Sequence, residues 1–132
     1  MQVTKDSEAQ HFLNRFSGFS DAVVQSLSLQ FSNDGSRLLE LKVVARDTES
    51  QENEGWVGVT IRIRSIVEVM VRESPKTTIQ VLSQGVNVFV LNGNFAFEFG
   101  GAADPPNSLF ELQSSDAYAI GKDFSFEVFP YS

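Results

Sequence analysis

The chain has 132 residues, 42% of them hydrophobic, and carries 10 Lys and Arg residues against 17 Asp and Glu residues. A chain of this length is expected to form a single domain, residues 1–132, whose core needs no disulfide or metal for stability. The lack of cysteine excludes disulfide frameworks, thiolate zinc sites and cysteine nucleophiles. The net charge of −7 disfavours binding to nucleic acid, which depends on clustered Lys and Arg.

Polar and charged side chains interrupt the first 20 residues, so no apolar run there is long enough for a signal peptide or a membrane span. Together with the absence of cysteine, this pattern predicts a cytoplasmic protein that does not act at a membrane. The 12 Phe residues favour a Phe-rich β core. The alternative is a Phe-lined cavity that binds a ligand between sheet and helix.

The first predicted element is a short helix over Ser7–Phe16. Ser7 and Gln10 have the spacing of a capping box, and Gly18 is expected to end the helix. The helix has one apolar stripe with residues at positions i, i+3, i+4 and i+7: Ala9, Phe12, Leu13 and Phe16.

Beyond Gly18 the hydrophobic period changes from helical to two, which is typical of half-buried strands. Residues 23–31 and 39–45 predict a β-hairpin about an Asn-Asp-Gly-Ser turn. Its buried face is expected to include Leu27, Leu29 and Phe31.

Residues 56–72 form the longest β-like run, and its length predicts a bulge or break near Ser65. Arg62 and Arg64 share the side of Trp56. We expect them to pair across strands with Glu40 or Glu98, the alternative being an anion or stacking site.

The sequence pattern also predicts strands in the second half of the chain. Asn92 and Gly93 predict a type I′ turn between strands 86–91 and 94–99, the second of which carries Phe95, Phe97 and Phe99 on one face. Further short strands are predicted at residues 77–82, 109–113, 117–120 and 124–129, with a loop at 100–108. The expected fold is therefore mostly β: an antiparallel, strongly curved sheet or sandwich of about seven or eight strands with a short N-terminal helix.

An acidic segment lies at residues 47–55, with four carboxylates and no basic side chain. Its composition predicts a mobile, solvated loop. It does not match a calcium-binding loop, because the sixth position lacks glycine and the twelfth lacks Glu. With the neighbouring tryptophan it supplies the predicted partner-binding residues Asp47, Glu49, Glu52, Glu54 and Trp56.

The chain carries little recognisable catalytic chemistry. His11 is the only imidazole, and no serine lies in a Gly-x-Ser-x-Gly motif. Paired-carboxylate hydrolysis stays open, because sequence does not report which carboxylates meet. We therefore expect a non-enzymatic protein with no metal and no cofactor.

The segment around Phe19, Asp21, Ala22 and Val24 resembles the F-x-D-A-x-V/L opening of small β-rich bacterial proteins. Some of these are immunity proteins of polymorphic toxin systems, and residues 115–128 are similar to a closing element of the same group. The resemblance implies a non-enzymatic protein whose acidic face occludes a basic toxin, and it adds Asp21 to the predicted partner-binding residues. Ser20 stands where that group often has histidine.

Three functions follow from the sequence. The first is a binding module, of immunity type, that neutralises a basic protein partner through an acidic surface. The second is a small-ligand binder or enzyme that uses a Phe-lined cavity. The third is a structural subunit, such as a homodimer, that self-associates through the edge or face of residues 56–72.

Overall fold

A computed structural model describes residues 1–102 and 104–131. The fold is mostly β and antiparallel with one main helix, as predicted from the hydrophobic pattern. The described residues form two sheets with ten strands, more than the seven or eight predicted, because residues 56–72 divide into two strands and β1 and β6 are only two residues long. The helices are α1 (Asp6–Arg15) and α2 (Leu109–Leu112), and the strands are β1 (Gln2–Val3), β2 (Ala22–Phe31), β3 (Arg37–Arg46), β4 (Trp56–Arg64), β5 (Glu68–Val71), β6 (Val81–Leu82), β7 (Asn87–Leu91), β8 (Asn94–Glu98), β9 (Ala117–Gly121) and β10 (Asp123–Pro130).

The first sheet has six strands in the order β1-β10-β4-β3-β2-β6, and the second has four in the order β5-β9-β8-β7. Strands β2, β3 and β4 form a meander, whereas β10 arrives from the end of the chain and lies between β1 and β4. Strand β4 therefore has neighbours on both sides, whereas β5, the last part of residues 56–72, lies at the edge of the second sheet.

The predicted break in residues 56–72 is confirmed at Ser65. Strand β4 ends at Arg64 in the first sheet, and β5 begins at Glu68 in the second. Ser65 has a positive φ of 54°, a conformation that turns the chain out of the strand. The backbone N–H of Ile66 then donates to the carbonyl of Arg37 at 3.1 Å. The chain thus passes from one sheet to the other at this residue.

A cluster of Phe rings joins the helix to both sheets. Phe124 of β10 is fully buried, and its ring centroid lies 5.2 Å from that of Phe12, 5.3 Å from Phe95 and 4.7 Å from Phe97. These edge-to-face contacts add to the burial of apolar area. The rings fill the space between helix and sheets, so this part of the molecule is the packed Phe-rich core predicted from composition.

The N-terminal helix is capped differently from the prediction. It begins at Asp6 rather than Ser7, and the Glu8 carboxylate accepts from the backbone N–H of Lys5 at 3.1 Å. The Ser7 to Gln10 capping box is therefore wrong. The side-chain amide of Gln10 instead donates to the Val88 carbonyl at 3.2 Å, because this side of α1 packs on β7.

Two predicted strands are corrected. The strand predicted at 109–113 is instead the one-turn helix α2 (Leu109–Leu112), whose N-terminus is capped where Ser108 Oγ accepts from the Glu111 N–H at 3.2 Å. The strand predicted at 77–82 is confined to Val81–Leu82. The Asn92-Gly93 turn is confirmed, with φ angles of 52° and 81°.

The buried face predicted for β2 is only partly buried. Leu27 is half-buried, but Leu29 is 36% exposed and Phe31 is 74% exposed. The strands of the second sheet have four or five residues, whereas β2 and β3 have ten each. The hairpin therefore extends past the sheet that covers it, and the far end of β2 has apolar side chains in solvent.

We expect Phe124→Ala to lower the free energy of unfolding by about 4 kcal/mol, because it removes a ring packed on three others and leaves a cavity. Phe110→Ala is the matched control, since Phe110 is 82% exposed on α2. That change should cost less than about 0.5 kcal/mol. Urea unfolding monitored by circular dichroism measures both, and equal losses would contradict the central position of Phe124.

Candidate functional site

The acidic segment is fastened to α1 rather than free in solvent. Asp47 is only 4% exposed, and its two carboxylate oxygens each accept from the Arg15 guanidinium at 3.0 Å. The hydrogen bonds from Arg15 hold the pKa of Asp47 below its usual range, against the opposing effect of burial. The prediction of a solvated, mobile loop is therefore wrong for Asp47.

Backbone contacts complete the attachment. The N–H and hydroxyl of Thr48 both donate to the Arg15 carbonyl, at 2.9 and 3.0 Å. Carbonyls in the last turn of a helix lack partners within the helix, and this loop supplies two donors to one of them. The Asp47 N–H donates to the Gly55 carbonyl at 2.7 Å, which closes the loop at its base.

The other side of the loop forms a groove with the end of β10. Two adjoining cavities, of about 260 and 370 Å³, share Asn53, Trp56 and Tyr131. The side-chain amide of Asn53 donates to the Tyr131 carbonyl and so ties the loop to this segment. We call this region the acidic–aromatic groove and define it by Glu49, Glu52, Asn53, Glu54, Trp56, Phe129 and Tyr131.

The aromatic side of the groove is set by the register of the first sheet. Phe129 lies directly opposite Gly58, where a Cβ atom would come within 3.0 Å of its ring. Glycine thus lets this ring rest on the sheet. Trp56 is half-buried, and the guanidinium carbon of Arg46, its partner across the strands, lies 5.2 Å from the centroid of its ring. That distance is typical of a cation–π contact.

The charges of the groove are unevenly compensated. Arg15 pairs with Asp47 and also lies 3.3 Å from Glu49, whose side chain is 56% exposed. Glu52 and Glu54 are exposed and have no basic partner within 4 Å in the described part of the chain. The groove therefore presents uncompensated negative charge beside aromatic rings.

Five of the six predicted partner-binding residues are brought together here. Four of them line the groove itself, and Asp47 anchors its loop and also contributes to one cavity wall. Asp21 does not line either cavity; it precedes β2, where its N–H donates to the Leu82 carbonyl at 2.8 Å. Sequence reasoning missed Phe129, which shares the parity of the polar Ser125 and Glu127 in β10, and Tyr131, which follows the end of that strand.

The cross-strand pairing predicted for the arginines of β4 is confirmed for Arg62 and wrong for Arg64, which lies 3.9 Å from Asp123 and donates to the Ser125 hydroxyl at 2.9 Å. Arg62 lies 3.0 Å from Glu40 and 3.2 Å from Glu127 on the outer face of the first sheet. Glu98, the other predicted partner, lies in the second sheet instead. It is buried, and its carboxylate accepts from the Ser115 hydroxyl and the Gly100 N–H, both at 2.7 Å. Its role is to hold the 100–102 segment.

Within residues 1–102 and 104–131, no group of three or more His, Asp or Glu side chains is arranged to hold a metal ion. No helix in the same ranges is long and apolar enough to cross a membrane. Searches with family models, among curated proteins and among solved structures found no match to this chain. Its resemblance to immunity proteins therefore stays a prediction.

We expect Asp47→Asn to destabilise the protein by about 2 kcal/mol at neutral pH, because it removes a charge-assisted pair with Arg15. The pKa of Asp47 is lowered by folding, so its contribution is present above the unfolded pKa of about 4 and is lost as the pH falls through the folded value. The difference between wild type and variant should therefore shrink below about pH 4.

Chemical unfolding at a series of pH values measures this difference. Glu52→Gln is the control in the same loop, because Glu52 is exposed and has no ion-pair partner among the described residues. It should change stability by less than about 0.5 kcal/mol at every pH. A pH-independent effect of Asp47→Asn would contradict the ion-pair account.

Proposed function

We propose that this chain is a protein-binding module of immunity type whose acidic–aromatic groove binds Lys or Arg side chains of a basic protein partner. The observation that carries the proposal is the pair of uncompensated carboxylates, Glu52 and Glu54, beside the rings of Trp56 and Tyr131. Carboxylates and aromatic faces together favour guanidinium and ammonium groups.

One ring of the groove already contacts such a group from the chain itself. The guanidinium of Arg46 lies over Trp56, which shows that this ring accepts a cation–π contact in its present orientation. Tyr and Trp are also the residue types that contribute most to protein interfaces. The net charge of −7 would speed encounter with a basic partner and make the association sensitive to salt.

The anchoring of the loop supports the same function. Because Asp47 is fixed to Arg15, the loop that carries Glu52 and Glu54 is held in place before a partner arrives. A preorganised site loses less conformational entropy on binding. The resemblance of the segment around Asp21 to immunity proteins is an independent reason to favour a basic toxin as the partner.

A deca-arginine peptide is a suitable probe, because Trp56 is the only tryptophan and its fluorescence reports on the groove. We expect saturable quenching at low ionic strength that weakens with added salt. The double change Glu52→Gln with Glu54→Gln should raise the Kd by about tenfold. Amide shift mapping by NMR should place the largest changes at Trp56 and Tyr131.

The matched control is Asp104→Asn with Glu111→Gln, which removes the same two charges away from the groove. Compared at about 0.15 M salt, where the Debye length is about 8 Å, this control should change the Kd by less than about twofold, because long-range attraction between exposed charges is screened. Equal weakening by the two double variants would overturn the groove as the binding site. Asp21→Asn tests the contribution implied by the resemblance, and a loss of binding there but not in the groove variant would move the site to Asp21.

A further inference from the structure

The outer edge of β2 is unpaired over most of its length. Strand β6 pairs only with Ala22 and Val23, and the carbonyl of Gln80 accepts from the N–H of Val24 at 2.8 Å. A bulge follows, where the register with β3 shifts between Val24 and Ser26. Beyond it, among the described residues, no strand pairs with the outer edge of residues 26–31.

The ladder with β3 shows which backbone groups of this edge are free. The N–H of Ser32 donates to the carbonyl of Ser36 at 3.0 Å, next to the pair Phe31 and Arg37. In an antiparallel ladder, hydrogen-bonded and non-hydrogen-bonded pairs alternate. The N–H and C=O groups of Leu27, Leu29 and Phe31 therefore point away from β3, towards the outer edge of the sheet.

The side chains of the same three residues form an apolar strip. They lie opposite Leu41, Leu39 and Arg37, on the side of the sheet that faces the core. Because the hairpin extends past the second sheet, Leu29 is 36% exposed and Phe31 is 74% exposed. The edge thus combines free backbone groups with exposed apolar side chains.

The usual protection of such an edge is missing. Monomeric β proteins place Lys, Pro or inward-pointing charges on edge strands to prevent pairing with other chains. Residues 22–33 contain no charged residue and no proline. The bulge of β2 lies before residues 26–31 and so does not disrupt them.

We propose that this edge pairs with the same edge of a second copy of the chain, in an antiparallel arrangement with a two-fold axis at Leu29. That register places Leu29 opposite its own copy and Leu27 opposite the partner copy's Phe31. All three outward-facing residues then form hydrogen-bonded pairs, six bonds in total by the antiparallel pattern. The two six-stranded sheets become one continuous sheet.

Two features make a second copy the fitting occupant. The two-fold register aligns apolar with apolar residues on one face, and Ser28 with Gln30 on the other, so the edge is complementary to itself. The chain carries a net charge of −7, yet this edge is uncharged. Two copies can therefore meet here without bringing like charges into direct opposition.

Sedimentation equilibrium from micromolar to near-millimolar concentration tests the proposal, with a reversible dimer as the expected result. Phe31→Lys should raise the dimer Kd by about tenfold or more, because it brings a charge into the apolar strip. Leu29→Pro should do the same, since it removes an outward N–H and leaves the ladder with β3 intact. Phe110→Lys is the control at a similarly exposed Phe on α2 and should leave the Kd unchanged.

A cysteine cross-link checks the register and does not depend on the edge variants folding. The chain has no cysteine, so Leu29→Cys introduces a single thiol. In the proposed pairing the two Cα atoms of residue 29 would lie about 5.5 Å apart, within the range of a disulfide. Mild oxidation should give a covalent dimer much faster than it does for Phe110→Cys.

Three results would overturn the proposal. One is a wild-type monomer at near-millimolar concentration. A second is a dimer Kd that is unchanged from wild type in Phe31→Lys and in Leu29→Pro, when both variants are folded. The third is a rate of cross-linking for Leu29→Cys that is no faster than the rate for Phe110→Cys. That result is also expected if the edge binds a strand of another protein instead of a second copy.

Discussion

The packing of Phe124 against Phe12 is the contact on which the rest of the molecule depends. Phe124 belongs to the first sheet and also contacts Phe95 and Phe97 of the second, so one ring fixes α1 against both layers. The position of α1 then places Arg15, and Arg15 places the acidic loop through Asp47. The position of the loop that lines the surface groove thus depends on a contact in the core.

Much of the fold was predictable from local patterns in the sequence. Alternating apolar residues predicted the β2–β3 hairpin, the two positive φ angles at Asn92 and Gly93 follow from their residue types, and excessive length predicted the break at Ser65. These features depend on neighbours in sequence. The burial of Leu29 and Phe31 was predicted wrongly, because it depends on how far a separate sheet extends over them.

The charges of the candidate site were predictable from the sequence, but the distant residues that contact its loop were not. The acidic run and Trp56 are adjacent in sequence, so a shared surface could be inferred. Arg15 is 32 residues from Asp47, and Tyr131 is 78 residues from Asn53, so only the folded chain brings them together. The ion pair between Arg15 and Asp47 also explains why the mobile loop was predicted wrongly from composition. A segment rich in carboxylates is expected to be solvated, and its own sequence does not reveal a cation that lies far along the chain.

The insertion of β10 between β1 and β4 has a consequence for the order of folding. Strands β2, β3 and β4 are joined by local contacts, whereas Val59 of β4 pairs with Val128 of β10, far along the chain. Such distant pairings close large loops and form late. In any intermediate that lacks β10, the Val- and Ile-rich β4 has an open edge, so nascent or partly folded chains expose a second strand to pairing with other chains.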